Sequence, residues 1–276
     1  MAITAQEVNK LRQITGAGMM DCKKALTEAD GDIEKAIDIL RKKGQKVSAS
    51  RSDRETTEGA VFIKTNEEAT EAVLIALTCE TDFVAKNEDF QAAGQKIVEI
   101  AFDQRPNTVE GLLQLKFDSL TVGEKIIELV GKIGEKIEIS AYESLKGEVV
   151  VPYIHSNNKL GVIVALKNVE GNITEAGKNV AMQIAAMRPV AVDKDGVDQT
   201  TIDRELEIGR EQAVAEGKPE HIIDKIAQGK LNKFFKDNTL LNQDYVKDTG
   251  MTVAKYLDSV SKGLTVSAFK RIAIGE

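Results

Sequence analysis

The sequence contains no tryptophan, and aromatic residues make up only 4% of it. Its cores must therefore be held mainly by aliphatic side chains, which makes any exposed phenylalanine conspicuous. Cysteine is almost as scarce, since only Cys22 and Cys79 occur, far apart and on faces predicted to be buried. With no secretory or transit segment expected before Thr4, this usage predicts a reduced, cytoplasmic protein.

Further absences exclude several classes of function. No apolar run reaches the roughly 18 residues that a membrane-spanning helix requires, so no membrane partner is expected. The net charge of −7 arises from interspersed acidic and basic residues, and without a clustered basic face no direct nucleic-acid binding is expected. No Gly-x-x-x-x-Gly-Lys-Ser/Thr loop is present to cradle a triphosphate. Gly16-Ala17-Gly18 follows a predicted helix and lacks a third glycine, so it predicts a helix–helix turn and no cofactor.

Residues suited to catalysis or metal binding are also few. The only histidines are His155 and His221, so a nucleophile–base pair would need one of them beside Cys79 or a serine. Cys79 lies at the inner end of an apolar strand, which is typical of a core residue, although a thiol enzyme stays open as a class. No metal-ligand spacing is present. We therefore predict a non-enzymatic protein with no catalytic residues, metal or cofactor.

The first 45 residues predict a small bundle of three amphipathic helices. Thr4 and Glu7 form a capping box that begins the first helix, and Gly16 terminates it. The third helix is expected to end before Gly44, and the polar residues 46–58 are expected to be a linker. A unit this short buries little surface, so its stability should be marginal.

The remainder of the chain predicts an α+β fold with a weak internal repeat. Residues 59–80 and 147–168 both have the pattern of a hairpin followed by a helix, and both helices run into an Arg-Pro pair. We predict two related sheet-plus-helix subdomains, 59–142 and 143–276, although a single repeat leaves chance similarity open. Further strand-like residues are 137–141 and 190–192.

A helical hairpin is predicted over residues 201–235, inside the second subdomain. Its two helices are separated by Gly217-Lys218-Pro219, with glycine ending one helix and proline at the first position of the next. The pair is expected to protrude, and a homodimer formed through it stays open. A helix over 253–260 and a strand over 264–274 complete the chain.

One connector places an acid beside an aromatic ring. Residues 71–79 form an almost unbroken apolar strand and Asn87 is expected to cap the next helix, so Asp82 and Phe83 occupy a strand-to-helix corner. Connectors of this kind lie at the surface and often carry functional side chains. Spacing alone leaves two interpretations open: Asp82 caps a turn while Phe83 fills the corner, or both face a partner.

Residues 78–87, Thr-Cys-Glu-Thr-Asp-Phe-Val-Ala-Lys-Asn, resemble a signature of the elongation factor Ts family of bacterial nucleotide exchange factors. Residues 11–26, Leu-Arg-Gln-Ile-Thr-Gly-Ala-Gly-Met-Met-Asp-Cys-Lys-Lys-Ala-Leu, resemble its N-terminal signature, and the likeness extends through residues 240–243 to the final strand. The resemblance implies a guanine-nucleotide exchange factor that acts on elongation factor Tu, in its GDP-bound and nucleotide-free states, during translation elongation.

The resemblance also implies which residues contact the partner. In the family, the acid and ring enter between two helices of the GTPase and disturb the region that holds Mg²⁺ beside the phosphates. Carried over, this surface comprises Thr81, Asp82, Phe83 and Val84.

Two further surfaces are implied. The N-terminal signature contacts the partner's nucleotide-binding domain, and a histidine in the second hairpin contacts the partner as well. The residues carried over are Met19, Met20, Lys23, Lys24 and His155. The alternatives are that Met19 is core, that both lysines are solvated, and that His155 is a turn residue.

The helical N-terminus also resembles ubiquitin-associated domains, which dock peptides on an apolar helix face. An alternative function is therefore an interaction module without exchange activity.

Overall fold

A computed structural model describes residues 3–276 and shows a chain of mixed helix and sheet that begins with helices, in agreement with the predicted α+β class. The first two residues of the predicted 1–45 unit lie outside the described residues. The N-terminal helices are α1 (Ala5–Thr15), α2 (Met19–Glu28) and α3 (Ile33–Ser50). The capping box of Thr4 and Glu7 is present, and Gly16 ends α1 in the left-handed region with φ of 65°.

Helix α3 does not end at Gly44, the expected terminator, but continues for six more residues to Ser50. A glycine is needed at position 44 for close packing. The helix crosses α7 (Val122–Ile133), and a Cβ atom on Gly131 would lie 2.9 Å from the Gly44 Cα. The expectation that Gly44 terminates the helix was wrong because packing, and not a turn, requires glycine at this position.

The first sheet has three antiparallel strands, in the spatial order β1 (Glu58–Thr65), β2 (Glu71–Cys79) and β5 (Ile137–Lys146). The connecting elements cover one face of it and include α7, which begins with a capping box of Thr121 and Glu124, a local pattern that is also visible in the sequence. The bounds are β1 (Glu58–Thr65), β2 (Glu71–Cys79), α4 (Asp82–Ala85), α5 (Glu88–Gln104), α6 (Val109–Leu113), β3 (Lys116–Phe117), β4 (Leu120–Thr121) and β5 (Ile137–Lys146).

The second sheet is also antiparallel, with the spatial order β10 (Thr265–Ala273), β7 (Leu160–Lys167) and β6 (Val149–Ile154). Its third strand comes from the end of the chain. The expected strand at 190–192 was wrong, because only Ala191 forms an isolated bridge, to Thr239. The bounds are β6 (Val149–Ile154), β7 (Leu160–Lys167), α8 (Thr174–Met187), α9 (Gln199–Ala215), α10 (Glu220–Asn238), β8 (Asp244–Tyr245), β9 (Asp248–Thr252), α11 (Val253–Val260) and β10 (Thr265–Ala273).

The two sheets pack face to face between outer layers of helices. Leu74 on β2 and Ile163 on β7 belong to the core between the sheets, whereas Ile75 and Val164 face helices on the opposite sides. Helices α5 and α7 cover the first sheet, and α8 and α11 cover the second. Strand β2 is therefore buried on both faces, which explains its nearly continuous apolar sequence.

The two sheet regions repeat one order of elements. Each has a hairpin, a helix, a two-stranded ribbon, a helix that starts at a Thr-Val pair, and a closing strand beside the second hairpin strand. Helices α5 and α8 both end at an arginine with φ of 47°, Arg105 and Arg188, each followed by proline. The second region differs by the insertion of α9 and α10, which pack against each other. Pro219 stands at the N-cap position of α10, one residue before the predicted first helical position.

Glu71 joins the first sheet to the end of α5. It is buried, its carboxylate accepts two hydrogen bonds from Arg105, at 2.6 and 2.8 Å, and Lys146 Nζ lies 3.2 Å away. The hydrogen bonds from Arg105 lower the pKa of Glu71, with a smaller contribution from Lys146, although burial acts in the opposite direction. The ionised form is thus the one that the folded state stabilises.

We predict that Gly131→Ala destabilises the protein by about 1–3 kcal/mol, because the added methyl group forces α3 and α7 apart. Gly229→Ala in α10 is the matched control, since no atom lies within 4 Å of a Cβ there and the change should stabilise by up to about 1 kcal/mol. Urea unfolding measures both. Equal effects of the two substitutions would contradict the close contact.

A pH dependence follows from Glu71. Its pKa is lower in the folded state than the ordinary 4.5, so its contribution is complete above that value and is lost as the pH falls. We expect Glu71→Gln to cost about 1–3 kcal/mol at pH 7 and less in acid. Urea midpoints from pH 6 to 3 test this, with Glu143→Gln, which breaks an exposed pair to Lys270, as the control. Parallel curves for parent and Glu71→Gln would refute the assignment.

Candidate functional site

The connector after β2 folds into a single helical turn. Thr81 is the N-cap of α4, and its hydroxyl accepts a hydrogen bond from the Val84 amide at 3.4 Å. Asn87 caps α5, as predicted, by accepting from the Asp89 and Phe90 amides. Residues 81–84, which we call the tip, therefore form a capped turn between the end of β2 and the capped start of α5.

Two neighbouring side chains of the tip point in opposite directions, Phe83 towards solvent and Val84 into the core. Phe83 is 81% exposed, the most exposed large apolar side chain among the described residues. Val84 is only 8% exposed and packs in the core with Ala85 and Cys79. Phe83 therefore does not fill the corner beneath the strand, and Val84 can contribute to a surface mainly by anchoring it.

Asp82 lies beside the ring at the surface. Its carboxylate is 2.7 Å from Lys86 Nζ, and the hydrogen bond from that ammonium group lowers the pKa of Asp82. Asp82 is therefore negatively charged at neutral pH. An ion pair this exposed contributes little to stability, so Asp82 can exchange Lys86 for another cation at low cost.

Two carboxylates that the sequence analysis did not single out hold the base of the tip. Glu135 accepts hydrogen bonds from the Thr81 amide at 3.0 Å and from the Thr81 hydroxyl at 2.8 Å. Glu80 accepts from the Lys136 amide at 2.6 Å. Because Glu135 is 54 residues from Thr81 in sequence, no local pattern could reveal the contact.

The N-terminal candidates lie on the first turns of α2. Met19 and Met20 are 54% and 63% exposed, and Lys23 and Lys24 face solvent. Ile14, near the end of α1, is also exposed. Met19 is therefore not part of the bundle core, which is formed by Cys22, Leu26 and their neighbours. Exposed methionines flanked by lysines form an adaptable, cationic surface.

His155 lies at the end of the hairpin formed by β6 and β7. It is exposed, and its Nδ1 lies 2.9 Å from the Tyr153 hydroxyl, which orients the ring. The adjacent Ile154 is partly exposed as well.

Short chains of contacts connect the hairpin of His155 to the base of the tip. The Asn158 carbonyl accepts from the Val61 amide at 2.8 Å, and Lys159 pairs with Glu58 at 2.8 Å. Glu58 is the register partner of Cys79, where β2 ends.

A second chain of contacts leads to the N-terminal surface. Lys132 pairs with Asp89, in the first turn after the tip, at 2.7 Å. A Cβ on Gly16 would lie 2.8 Å from the same Lys132 Nζ, so the turn before Met19 lies directly over this lysine. The three candidate surfaces thus flank one end of the first sheet.

Within residues 3–276, no cluster of three or more His, Cys, Asp or Glu side chains is placed to hold a metal ion. No helix in this part of the chain has the length and apolar character needed to cross a membrane.

The amino-acid sequence of the chain is similar to known proteins. A family model described as "Elongation factor TS" matches residues 80–276. Elongation factor Ts of Amoebophilus asiaticus (strain 5a2) is 60% identical over 276 residues, covering 100% of both chains, and that of Cytophaga hutchinsonii is 60% identical over 274 residues, covering 99% of each. Elongation factor Ts of Chlorobium phaeobacteroides (strain BS1) is 41% identical over 286 residues, with 99% of each chain covered. Because the family model matches more than half of the chain and these relatives are similar over almost its whole length, the chain belongs to the elongation factor Ts family of translation elongation factors.

Proposed function

We propose that this chain is a guanine-nucleotide exchange factor that binds elongation factor Tu carrying GDP and promotes GDP release during translation elongation. It does so in the cytoplasm by disturbing the Mg²⁺ and phosphate site of its partner, and it makes and breaks no covalent bond. Membership of the elongation factor Ts family supports the partner and the general role. The observation that carries the mechanism is Phe83, 81% exposed on an anchored turn beside a charged carboxylate.

Burial of the exposed Phe83 ring in a partner would supply free energy for displacing the partner's helices. Burying it in a partner contributes about 1.5–3 kcal/mol, enough for a tenfold to hundredfold shift in an equilibrium. Because Val84 and Ala85 hold the turn in the core, little of this free energy is spent on ordering the tip. The ring can therefore displace helices of the partner instead of folding against its own chain.

Loss of Mg²⁺ is an effective route to GDP release. The cation neutralises clustered phosphate charge, and without it that charge is opposed only by protein dipoles. Coupling is reciprocal, so the factor by which this chain weakens GDP binding equals the factor by which GDP weakens binding of this chain. Entry of a new nucleotide then releases the exchange factor.

The proposed contact has three parts. Asp82 and Phe83 act on the nucleotide site, with Thr81 and Val84 positioning them. Met19, Met20, Lys23 and Lys24 bind the nucleotide-binding domain, and His155 binds a further part of the partner. Several contacts of moderate strength fit a complex that must dissociate in every cycle.

The proposed units follow the same division. They are a three-helix unit at 1–45, resembling ubiquitin-associated domains, a connection at 46–58, and two core units at 59–142 and 143–276 with the helical hairpin 201–235 inserted in the second. The first five residues of the connection belong to the end of α3, so the expectation of a non-helical linker was wrong for residues 46–50. The shared element order and the paired Arg-Pro helix ends support a common origin of the core units. Homodimerisation through the helical hairpin stays a prediction, with Val214, 60% exposed near the end of α9, as an available apolar contact.

Two other classes make different predictions. If the N-terminal unit alone provided the function, as an interaction module without exchange activity, Phe83 would be dispensable. If Cys79 were a nucleophile, its thiol would have to ionise near neutral pH. Burial raises the pKa of Cys79 to about 12, assisted by the nearby Glu135, and the side chain is 0% exposed. This environment disfavours the thiol-enzyme class.

We expect fluorescent GDP to leave elongation factor Tu rapidly when this protein is added and at least tenfold more slowly when Phe83→Ala replaces it. The substitution removes the ring but leaves the core anchor intact, so circular dichroism should be unchanged. Val214→Ala, which removes an exposed apolar side chain from the hairpin, is the control and should keep the parental rate. Equal release rates with the parent and Phe83→Ala would refute the wedge.

We also expect Cys79 to resist iodoacetamide at pH 7.5 in the native protein and to react readily in 6 M guanidinium, since the native thiol is buried and protonated. Mass spectrometry of the labelled peptide distinguishes Cys79 from Cys22. Rapid native labelling of Cys79 would bring the thiol-enzyme class back into consideration.

A further inference from the structure

The contact between β2 and β5 continues beyond the last pair of the sheet. The strand register ends at Cys79 opposite Ile137. Just beyond this pair, each of the two segments places a glutamate side chain against the backbone of the other. Glu80 accepts a hydrogen bond from the Lys136 amide, and Glu135 accepts one from the Thr81 amide. The two bonds are reciprocal and connect residues 80–81 to residues 135–136.

We propose that Glu80 and Glu135 are positioning residues that set the orientation of Asp82 and Phe83. We call Glu80, Thr81, Glu135 and Lys136 the bracket. This inference rests on the proposed exchange function and extends it to residues that do not themselves contact the partner.

Both carboxylate oxygens of Glu135 accept hydrogen bonds from Thr81, the first residue of the tip. One of its oxygens accepts from the Thr81 amide and the other from the Thr81 hydroxyl, at 3.0 and 2.8 Å. In the part of the chain that the structure describes, Glu135 forms no ion pair with lysine or arginine. Its carboxylate is instead held by the two charge-assisted hydrogen bonds from Thr81. A carboxylate with both oxygens on one residue fixes that residue's backbone and its rotamer together.

The rotamer of Thr81 controls the start of α4. The same hydroxyl that donates to Glu135 accepts from the Val84 amide and caps the helix. A helix of four residues is not stable by itself, because the conformational entropy lost in forming the first turn exceeds the free energy gained from its hydrogen bonds. The direction of Phe83 therefore depends on how firmly Thr81 is held at the base.

Glu80 ties the bracket to the segment that follows the N-terminal helices. Arg51 and Arg54 donate to its two oxygens at 3.1 and 3.0 Å, and its side chain is only 14% exposed. Burial would raise the pKa of Glu80, but the hydrogen bonds from the Lys136 amide and the two arginines outweigh it and lower the pKa. The N-terminal unit and the tip thus share one anchoring group.

The test is a double-mutant cycle on GDP release from elongation factor Tu. We expect Glu135→Ala to lower the release rate at saturating exchange factor by about tenfold, with a smaller change in the concentration giving half the maximum rate. In the Phe83→Ala background the same substitution should have no further effect, because a positioning residue acts only through the group it positions. Glu128→Ala, which removes a carboxylate paired with Lys125 on α7, is the control and should keep the parental rate.

Two further arms keep the inference testable if Glu135→Ala folds poorly. Thr81→Val removes the hydroxyl and should reproduce the slow rate, whereas Thr81→Ser retains it and should restore parental exchange. Amide hydrogen exchange reads the bracket without the partner: the Thr81 amide should be protected in the parent and exchange at least tenfold faster in Glu135→Ala.

The outcomes separate this inference from the proposed function. If the parent protein does not accelerate GDP release, the proposed function fails, and the exchange of the Thr81 amide alone decides whether the bracket exists. If the parent is active, equal losses from Glu135→Ala with and without Phe83 would overturn the positioning role. A parental release rate in Glu135→Ala despite loss of Thr81 protection would overturn it as well.

Discussion

Burial of β2 on both faces is the constraint on which the rest of the structure depends. Every residue of this strand is buried, with alternate side chains facing α5 and α7 or the second sheet. Such a strand cannot shift its register without exchanging two cores at once. Its last residue, Cys79, therefore stands at a defined point, and the chain must leave the sheet there.

That rigidity is what makes an exposed aromatic side chain useful. A ring on a mobile loop would fold back or would lose entropy when it is bound. Here the strand end, the core contacts of Val84 and the bonds to Thr81 hold the turn, so Phe83 faces solvent. The absence of tryptophan and the low aromatic content elsewhere fit a molecule that packs with aliphatic groups and presents the Phe83 ring at its surface.

The N-terminal unit illustrates how a small domain gains order from its neighbour. Three short helices have a core of few residues, but α3 continues past Gly44 and packs closely on α7. From there, Arg51 and Arg54 reach Glu80 at the base of the tip. Two proposed partner surfaces are therefore parts of one scaffold rather than independent modules.

The sequence alone determined the elements whose causes are local. It was sufficient for the capping box of Thr4 and Glu7, the apolar strand 71–79, the cap at Asn87 and the family resemblance of the tip. Only the tertiary structure decided the meaning of Gly44, the third strand of the second sheet, the exposure of Phe83 and the hold of Glu135 on Thr81. The caps depend on hydrogen bonds within one turn, and the strand is recognisable from its own run of apolar residues, whereas these four features depend on segments far apart in sequence, whose approach is set by packing of the whole chain.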